Sequence, residues 1–215
     1  MRSGSLMASE HSALCSVLPP GMLCLVRALL LALTLVAVAP AGALAASWLD
    51  QELLTNWNTR RGPVPEAPLL QGDPADTPRC KERVRVPESA TDRAVTARGW
   101  TLLGPATTRT ATTIVFAATS VDGMCRPMSY QAFVFVKGRF AGTISPVPMD
   151  SREDGAENMI RVLSAGELSV QYMRYVESDP RCCPSRLTVV RFRIDQMPEG
   201  PILVPMTAQT RPTGQ

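Results

Sequence analysis

A mainly β fold, α+β at most, is predicted: an antiparallel sheet or sandwich-like single domain with a short N-terminal helix and a Pro-rich strap. Three observations predict it. Runs of β-branched and aromatic residues recur between turn signals, as in TTIVFAATSV over 112–121 and YQAFVFV over 130–136. Nineteen prolines and an aromatic content of 5% exclude a coiled coil, a long helical bundle and a collagen-like repeat. Apolar residues at 45% against charged residues at 19% leave enough material to bury a core.

The first 45 residues read as an address. Arg27 precedes an uncharged run from Ala28 to Val38, Pro40 and Gly42 break it, and Ala43-Leu44-Ala45 has the small-x-small form of a cleavage site. The run is shorter than the roughly 20 residues a membrane helix needs, so no stable membrane span is expected after cleavage. The preceding stretch, an extended n-region, already holds Pro19, Pro20, Cys15 and Cys24. Initiation at Met22 instead of Met1 would give a signal of ordinary length. Neither cysteine follows the apolar run, so the expected product starts near Ala46, is periplasmic or extracellular, and carries no lipid anchor.

Residues 46–97 should be a short helix plus a strap packed on the core. Ser47 and Asp50 resemble a capping box, and Leu49, Leu53 and Trp57 form one stripe of a helix of about ten residues that Gly62 and Pro63 stop. From Pro63 to Pro87 six prolines forbid a regular helix or a central strand. An extended strap tethered by Cys80 remains.

Residues 98–215 should form the antiparallel β domain. Trp100–Leu103 is a short strand. Residues 112–121, 130–136 and 140–144 form a meander whose second turn is Lys137-Gly138-Arg139. After a polar loop over 145–159 come a short strand at 161–163 and two longer ones at 168–176 and 187–194. Centring their connection on Arg181 sets Tyr172 opposite Val190 and Val170 opposite Phe192. Val170, Tyr172, Val176, Val190, Phe192 and Ile194 then share the core face. Arg174 falls on that face as well and has to reach past its rim, while Arg191 and Arg193 point outward beside Met173 and Tyr175. The proline-containing tail from Gln196 is expected to be irregular, with Ile202–Val204 on a sheet edge.

Composition also removes chemistries. A net charge of +3 is too near neutral to imply nucleic acid as a partner. The single histidine, His11, lies in the address. A chain without it has no Ser-His-Asp or Cys-His catalysis and no His-ligated metal. No Rossmann or P-loop glycine pattern occurs. Asp150 to Gly155 has the outline of a calcium loop, but Arg152 and Arg161 stand where oxygen ligands belong. No catalytic residue, no metal ligand and no cofactor are therefore expected. The candidate interaction surface consists of Asp150, Arg152 and Asp154 on the long loop, with Asp179 and Arg181 on the cysteine-bearing turn. Long polar loops are disproportionately functional.

Four cysteines follow the address: Cys80, Cys125, Cys182 and Cys183. An even number in an exported chain points to disulfides. A bond between adjacent residues closes a strained eight-membered ring and is disfavoured. Two pairings remain: Cys80–Cys182 with Cys125–Cys183, or Cys80–Cys183 with Cys125–Cys182. Either ties distant segments to one tip.

The strand Phe116–Val121 with Asp122-Gly123, the strand Tyr130–Val136, the segment Phe140–Pro146 and the turn Asp179-Pro180-Arg181-Cys182-Cys183-Pro184-Ser185 together resemble the bacterial LppP/LprE-like lipoprotein family. The resemblance implies an exported protein and supplies no catalytic residues. The chain departs from it in having no lipidation cysteine after the signal. The expected function is an exported, disulfide-stabilised envelope or periplasmic binding or interaction module, its partner an envelope component or a small ligand. The rivals are a hydrolase using Asp150 or Asp154 and a purely structural envelope protein.

Overall fold

A β-hairpin that is apolar on both faces sits at the centre of the fold. The computed structural model describes residues 47–214 except 52, 53, 60, 61 and 71, so the expected signal peptide lies outside the described residues. Strands β4 (Thr112–Val121) and β5 (Pro127–Val136) pair antiparallel. On one face, Ile114, Ala118, Tyr130, Ala132, Val134 and Val136 join the larger core. On the other, Val115, Ala117, Phe133 and Phe135 join a second cluster. Such a hairpin has no solvent face, so it needs a cover on each side.

One cover is a second sheet. The first sheet adds β1 (Asp73–Pro74), β2 (Thr101–Leu102) and β3 (Thr107–Arg109) along β4, and β6 (Arg139–Thr143) along β5. The β5–β6 hairpin turns through Lys137 and Gly138, both at positive φ, the conformation of a tight two-residue turn. The second sheet has the order β10-β9-β8-β7, from β7 (Glu157–Ser164), β8 (Glu167–Arg174), β9 (Arg186–Met197) and β10 (Gly200–Pro212). Leu168, Val170, Tyr172, Val190, Phe192, Ile194 and Leu203 face the shared core.

The other cover is the strap. Val64, Val95 and Trp100 pack with Val115, Phe133 and Phe135, and the Trp100 and Phe133 rings meet edge-on at 5.1 Å. Proline removes donors from this segment but leaves its carbonyls, which take side-chain donors. Trp100 Nε1 donates to the Pro65 carbonyl at 2.8 Å, Arg98 Nε donates to that of Val64 at 2.8 Å, and the Ala67 N–H donates to the Arg98 carbonyl. The single α-helix among the described residues, α1 (Ala90–Thr96), belongs to this layer. Ser89 and Asp92 cap it reciprocally, and Arg85 binds both Asp92 oxygens at 2.6 and 2.7 Å. The Arg85 guanidinium holds the Asp92 carboxyl well below the ordinary carboxylate range.

The mainly β, sandwich-like expectation holds, with five corrections. First, the continuous helix from Ser47 is not formed. Trp48–Asp50 and Trp57–Thr59 are separate 3₁₀ turns, and Gln51 between them is extended. A helix would set Trp48 and Trp57 about 13 Å apart along its axis, whereas their rings meet at 5.1 Å. Second, the β8–β9 register is shifted by two residues, with Val170 opposite Val190 and Tyr172 opposite Thr188. A two-residue shift keeps every side chain on its face, so the expected core face survives except for Val176, which lies beyond β8 and outside the core, and Arg191 and Arg193 remain exposed. Their neighbours change: Arg191 lies opposite Ser169 and Arg193 opposite Glu167. Third, Arg174 does not reach past the rim; it is buried. Fourth, the tail is not irregular. It makes a 13-residue strand, and Pro201, Pro205 and Pro212 are tolerated because β10 is an edge strand with a bulge after Pro205.

Fifth, neither expected disulfide pairing forms. Cys80 bonds Cys125, with Cα atoms 5.4 Å apart, and Cys182 bonds Cys183. The physical reason is the layering. Cys80 follows the strap along β4 to the β4–β5 turn that carries Cys125, whereas Cys182 and Cys183 sit on the β8–β9 connection of the other sheet. Closing 45 residues in the chain-entropy model contributes about 4 kcal/mol. Replacing Cys80 and Cys125 together by Ser should therefore lower unfolding free energy by about 3–4 kcal/mol in urea titrations. Replacing Cys182 and Cys183, which enclose no loop, should change it by less than about 1 kcal/mol.

Glu157 opens β7 opposite Tyr172, and its N–H donates to the Tyr130 hydroxyl at 2.7 Å. Burial pushes its carboxyl from the ordinary 4.5 up to about 7. The folded state thus holds this proton more tightly than the unfolded chain. The resulting stabilisation is complete below about pH 4.5 and is lost as pH rises through 7. Glu157→Gln should leave stability near pH 4 little changed and raise it at pH 8 by on the order of 2 kcal/mol, measured by thermal melts across that range.

Candidate binding cleft and surface loops

Two sheet edges approach each other without pairing. β6 ends the first sheet and β10 ends the second. Asn58, at the centre of the second 3₁₀ turn, bridges them. Its Nδ2 donates to the carbonyls of Thr143 at 3.1 Å and Leu203 at 3.0 Å, and its Oδ1 accepts the Thr143 N–H at 2.9 Å. The carboxamide thus stands in for a strand peptide. Trp57 Nε1 adds a bond to the Thr143 carbonyl at 3.0 Å. Gly142 makes room for the bridge: at φ +146°, a Cβ there would lie 2.4 Å from the Asn58 side chain.

The bridge occupies only part of this junction. Beside it lies a cleft of about 870 Å³ whose walls come from the strap, β6 and the start of β10. Trp57, Phe140 and Pro201 give it apolar surface, and Arg98 and Arg139 give it two guanidinium groups. Arg139 Nη2 donates to the Glu199 carbonyl across the cleft, and the Arg98 guanidinium lies 3.5 Å from the Glu66 carboxylate. The architecture can hold an extended or planar ligand between sheet edges, with hydrogen bonds to backbone and charge-assisted bonds to arginine.

The cysteine-bearing turn is braced from within. Asp179 Oδ2 accepts the Val176 N–H, the Ser185 N–H and the Ser185 hydroxyl, each at 2.9 Å. The Tyr175 hydroxyl donates to the Arg181 carbonyl at 3.1 Å, and the Cys183 N–H donates to that of Pro180. Cys182 and Cys183 are both exposed at its tip.

Three of the five expected surface residues engage their carboxylates with the chain's own backbone or side chains at the surface. Asp150 Oδ1 accepts the Ser129 N–H at 2.6 Å. Asp154 accepts Arg174 Nε at 3.0 and 3.1 Å and the Tyr175 N–H at 2.8 Å. Asp179 braces its turn. Arg152, at positive φ, and Arg181 are exposed. Tyr175 brings Asp154 and Arg181 to one end of β8, because its N–H contacts the first and its hydroxyl the second. Asp150 lies instead against β5. The same network explains Arg174, whose Nη2 also donates to Asp50 at 2.6 Å. The cleft-lining residues Trp57, Asn58, Arg98 and Arg139 were not expected; Pro146 is the one lining residue from the long loop. A legible signal for Asn58 would have been a lone amide beside a tryptophan, which is too common to single out.

Fold and site together define a two-sheet, disulfide-linked β-sandwich with an edge cleft and a cysteine-bearing tip. Residues 106–197, from β3 through β9, match the family model described as LppP/LprE lipoprotein, which bears out the resemblance drawn from the strands and the Cys-Cys-Pro-Ser turn. The match includes neither the strap nor β10. No curated protein and no solved structure matches the chain. The family description suggests an exported, envelope-associated protein and conflicts with the expected absence of a lipid anchor. Among the described residues no helix is long and apolar enough to cross a membrane, and no group of three or more His, Cys, Asp or Glu side chains is placed to hold a metal.

The Asn58–Gly142 contact is testable as a cycle. Asn58→Ala should cost about 1–3 kcal/mol because buried partners at Thr143 and Leu203 lose their bonds. Gly142→Ala should cost more in the wild-type background than in Asn58→Ala, by at least about 1 kcal/mol, because the obstructing carboxamide is gone in the latter.

Proposed function

We propose that the protein is an exported binding module of the cell envelope, and that the cleft between β6 and β10 holds its ligand. The cleft's construction is the observation that carries this reading. Two sheet edges and the strap converge on one concave surface, where Arg98 and Arg139 offer planar, permanently charged donors. A ligand with a carboxylate or phosphate and an extended backbone fits that chemistry. The exposed turn at 179–185 is a second surface, available to an envelope partner without entering the cleft. No observation favours a hydrolase, since Asp150 and Asp154 are each engaged in holding the chain's own backbone or Arg174.

Native mass spectrometry of protein isolated from its own envelope tests the proposal. Wild-type protein and Arg211→Ala, altered on the far end of β10, should carry the same added mass. Ile202→Trp, which fills the cleft, and Arg139→Ala should lose it at unchanged melting temperature. Protein bearing no added mass, or the same mass in all four forms, overturns the reading.

A further inference from the structure

The two disulfides differ in exposure and in the length of chain they close. Cys80 is 2% exposed and Cys125 half-buried, and their bond closes a 45-residue loop between strap and sheet. Cys182 and Cys183 are both exposed, and their bond joins adjacent residues. The turn carrying them keeps its shape through Asp179, Ser185, Tyr175 and the Cys183–Pro180 backbone bond, none of which involves sulfur. Breaking the bond between the adjacent cysteines therefore releases no loop entropy and removes no brace. Arg181 precedes Cys182 and Arg186 follows closely, and neighbouring cations favour a thiolate leaving group.

From exposure and redundancy together we infer that Cys182–Cys183 is a thiol–disulfide exchange site whose reaction partner is a low-molecular-weight thiol. The thiolate attacks one of the two exposed sulfurs, the S–S bond breaks, and the other sulfur departs as a thiolate that takes up a proton. A second thiol attacks the mixed disulfide, giving two cysteine thiols on the chain and an oxidised thiol dimer. The chain's pair gains two electrons and two protons, and the two small thiols supply them. The inference is independent of the cleft.

Graded reduction of the full exported protein with glutathione, followed by alkylation and peptide mass analysis, tests it. Cys182 and Cys183 should become alkylated at a reductant concentration at least about tenfold below that needed for Cys80 and Cys125. The far-ultraviolet circular dichroism should stay unchanged when only the first pair is open. Cys182→Ser should leave a Cys183 thiol that takes up one glutathione from oxidised glutathione in the folded protein. Simultaneous reduction of both pairs, earlier reduction of Cys80–Cys125, or an inert Cys183 in the folded variant each overturns the inference. So does a peptide map linking either 182 or 183 to 80 or 125.

Discussion

Strands β4 and β5 carry apolar side chains on both faces, and water tolerates neither face. Everything around them follows from that constraint. The second sheet covers one face through Tyr172, Phe192 and Leu203. The other face is left to a proline-rich segment that makes little regular structure, because each proline removes a donor. The strap attaches through what proline leaves: its carbonyls at Val64 and Pro65 take the Arg98 and Trp100 side chains, and its remaining N–H groups donate from Ala67 to Arg98 and from Arg85 to Leu102. A layer of this kind gains little from its own backbone, so it needs anchoring from outside. Cys80–Cys125 supplies a covalent anchor at one end, and α1 with its Arg85–Asp92 clasp supplies a polar one further on.

The segment before the strap solves a different problem, at the rim of the sandwich. Two sheets stacked face to face leave two edges, and unpaired edges invite unwanted strands. Trp48 and Trp57 pack edge-on against each other and against Tyr172 and Phe192, which draws this segment over the core. Asn58 then satisfies one stretch of edge with a single side chain. Arg174 completes the attachment from β8, since its guanidinium joins Asp50 in this segment to Asp154 on the long loop. A buried arginine with two carboxylates and a threonine around it is a satisfied group and needs no route to solvent.

Most strands were legible in the sequence because alternation and β-branched residues report burial directly. Val170, Tyr172, Val190 and Phe192 share a face in any register differing by an even number of residues, so the face was readable while the pairing was not. Prolines carried different meanings in the two places where they cluster. In the strap they left room for no strand beyond the two-residue β1 among the described residues, but in β10 they hid a long strand, because whether a proline is tolerated depends on which edge faces solvent. Ser89-Ala90-Thr91-Asp92 carries a capping box that marks α1, but it follows a run of prolines that argues against a helix. The cleft was not legible at all. Its walls come from residues near 58, 98, 140 and 200, brought together only by the stacking of the sheets. The cysteine pairing failed for the same reason: the count implied bonds, but only the layering decides which thiols meet.

The layering also separates stability from exposure. A crosslink acts on the unfolded chain in proportion to the loop it closes, so Cys80–Cys125 restrains the strap while a bond between neighbours restrains nothing beyond its own turn. The turn at 179–185 confirms the point from the folded side, because an aspartate, a serine and a tyrosine already hold it. Two sulfurs kept at an exposed tip, in a turn that other bonds already hold, sit where chemistry can change without disturbing either core. The cleft lies at the junction of β6 and β10, and the tip lies on the β8–β9 connection. The proposed binding and exchange sites thus lie on different elements of the same sandwich.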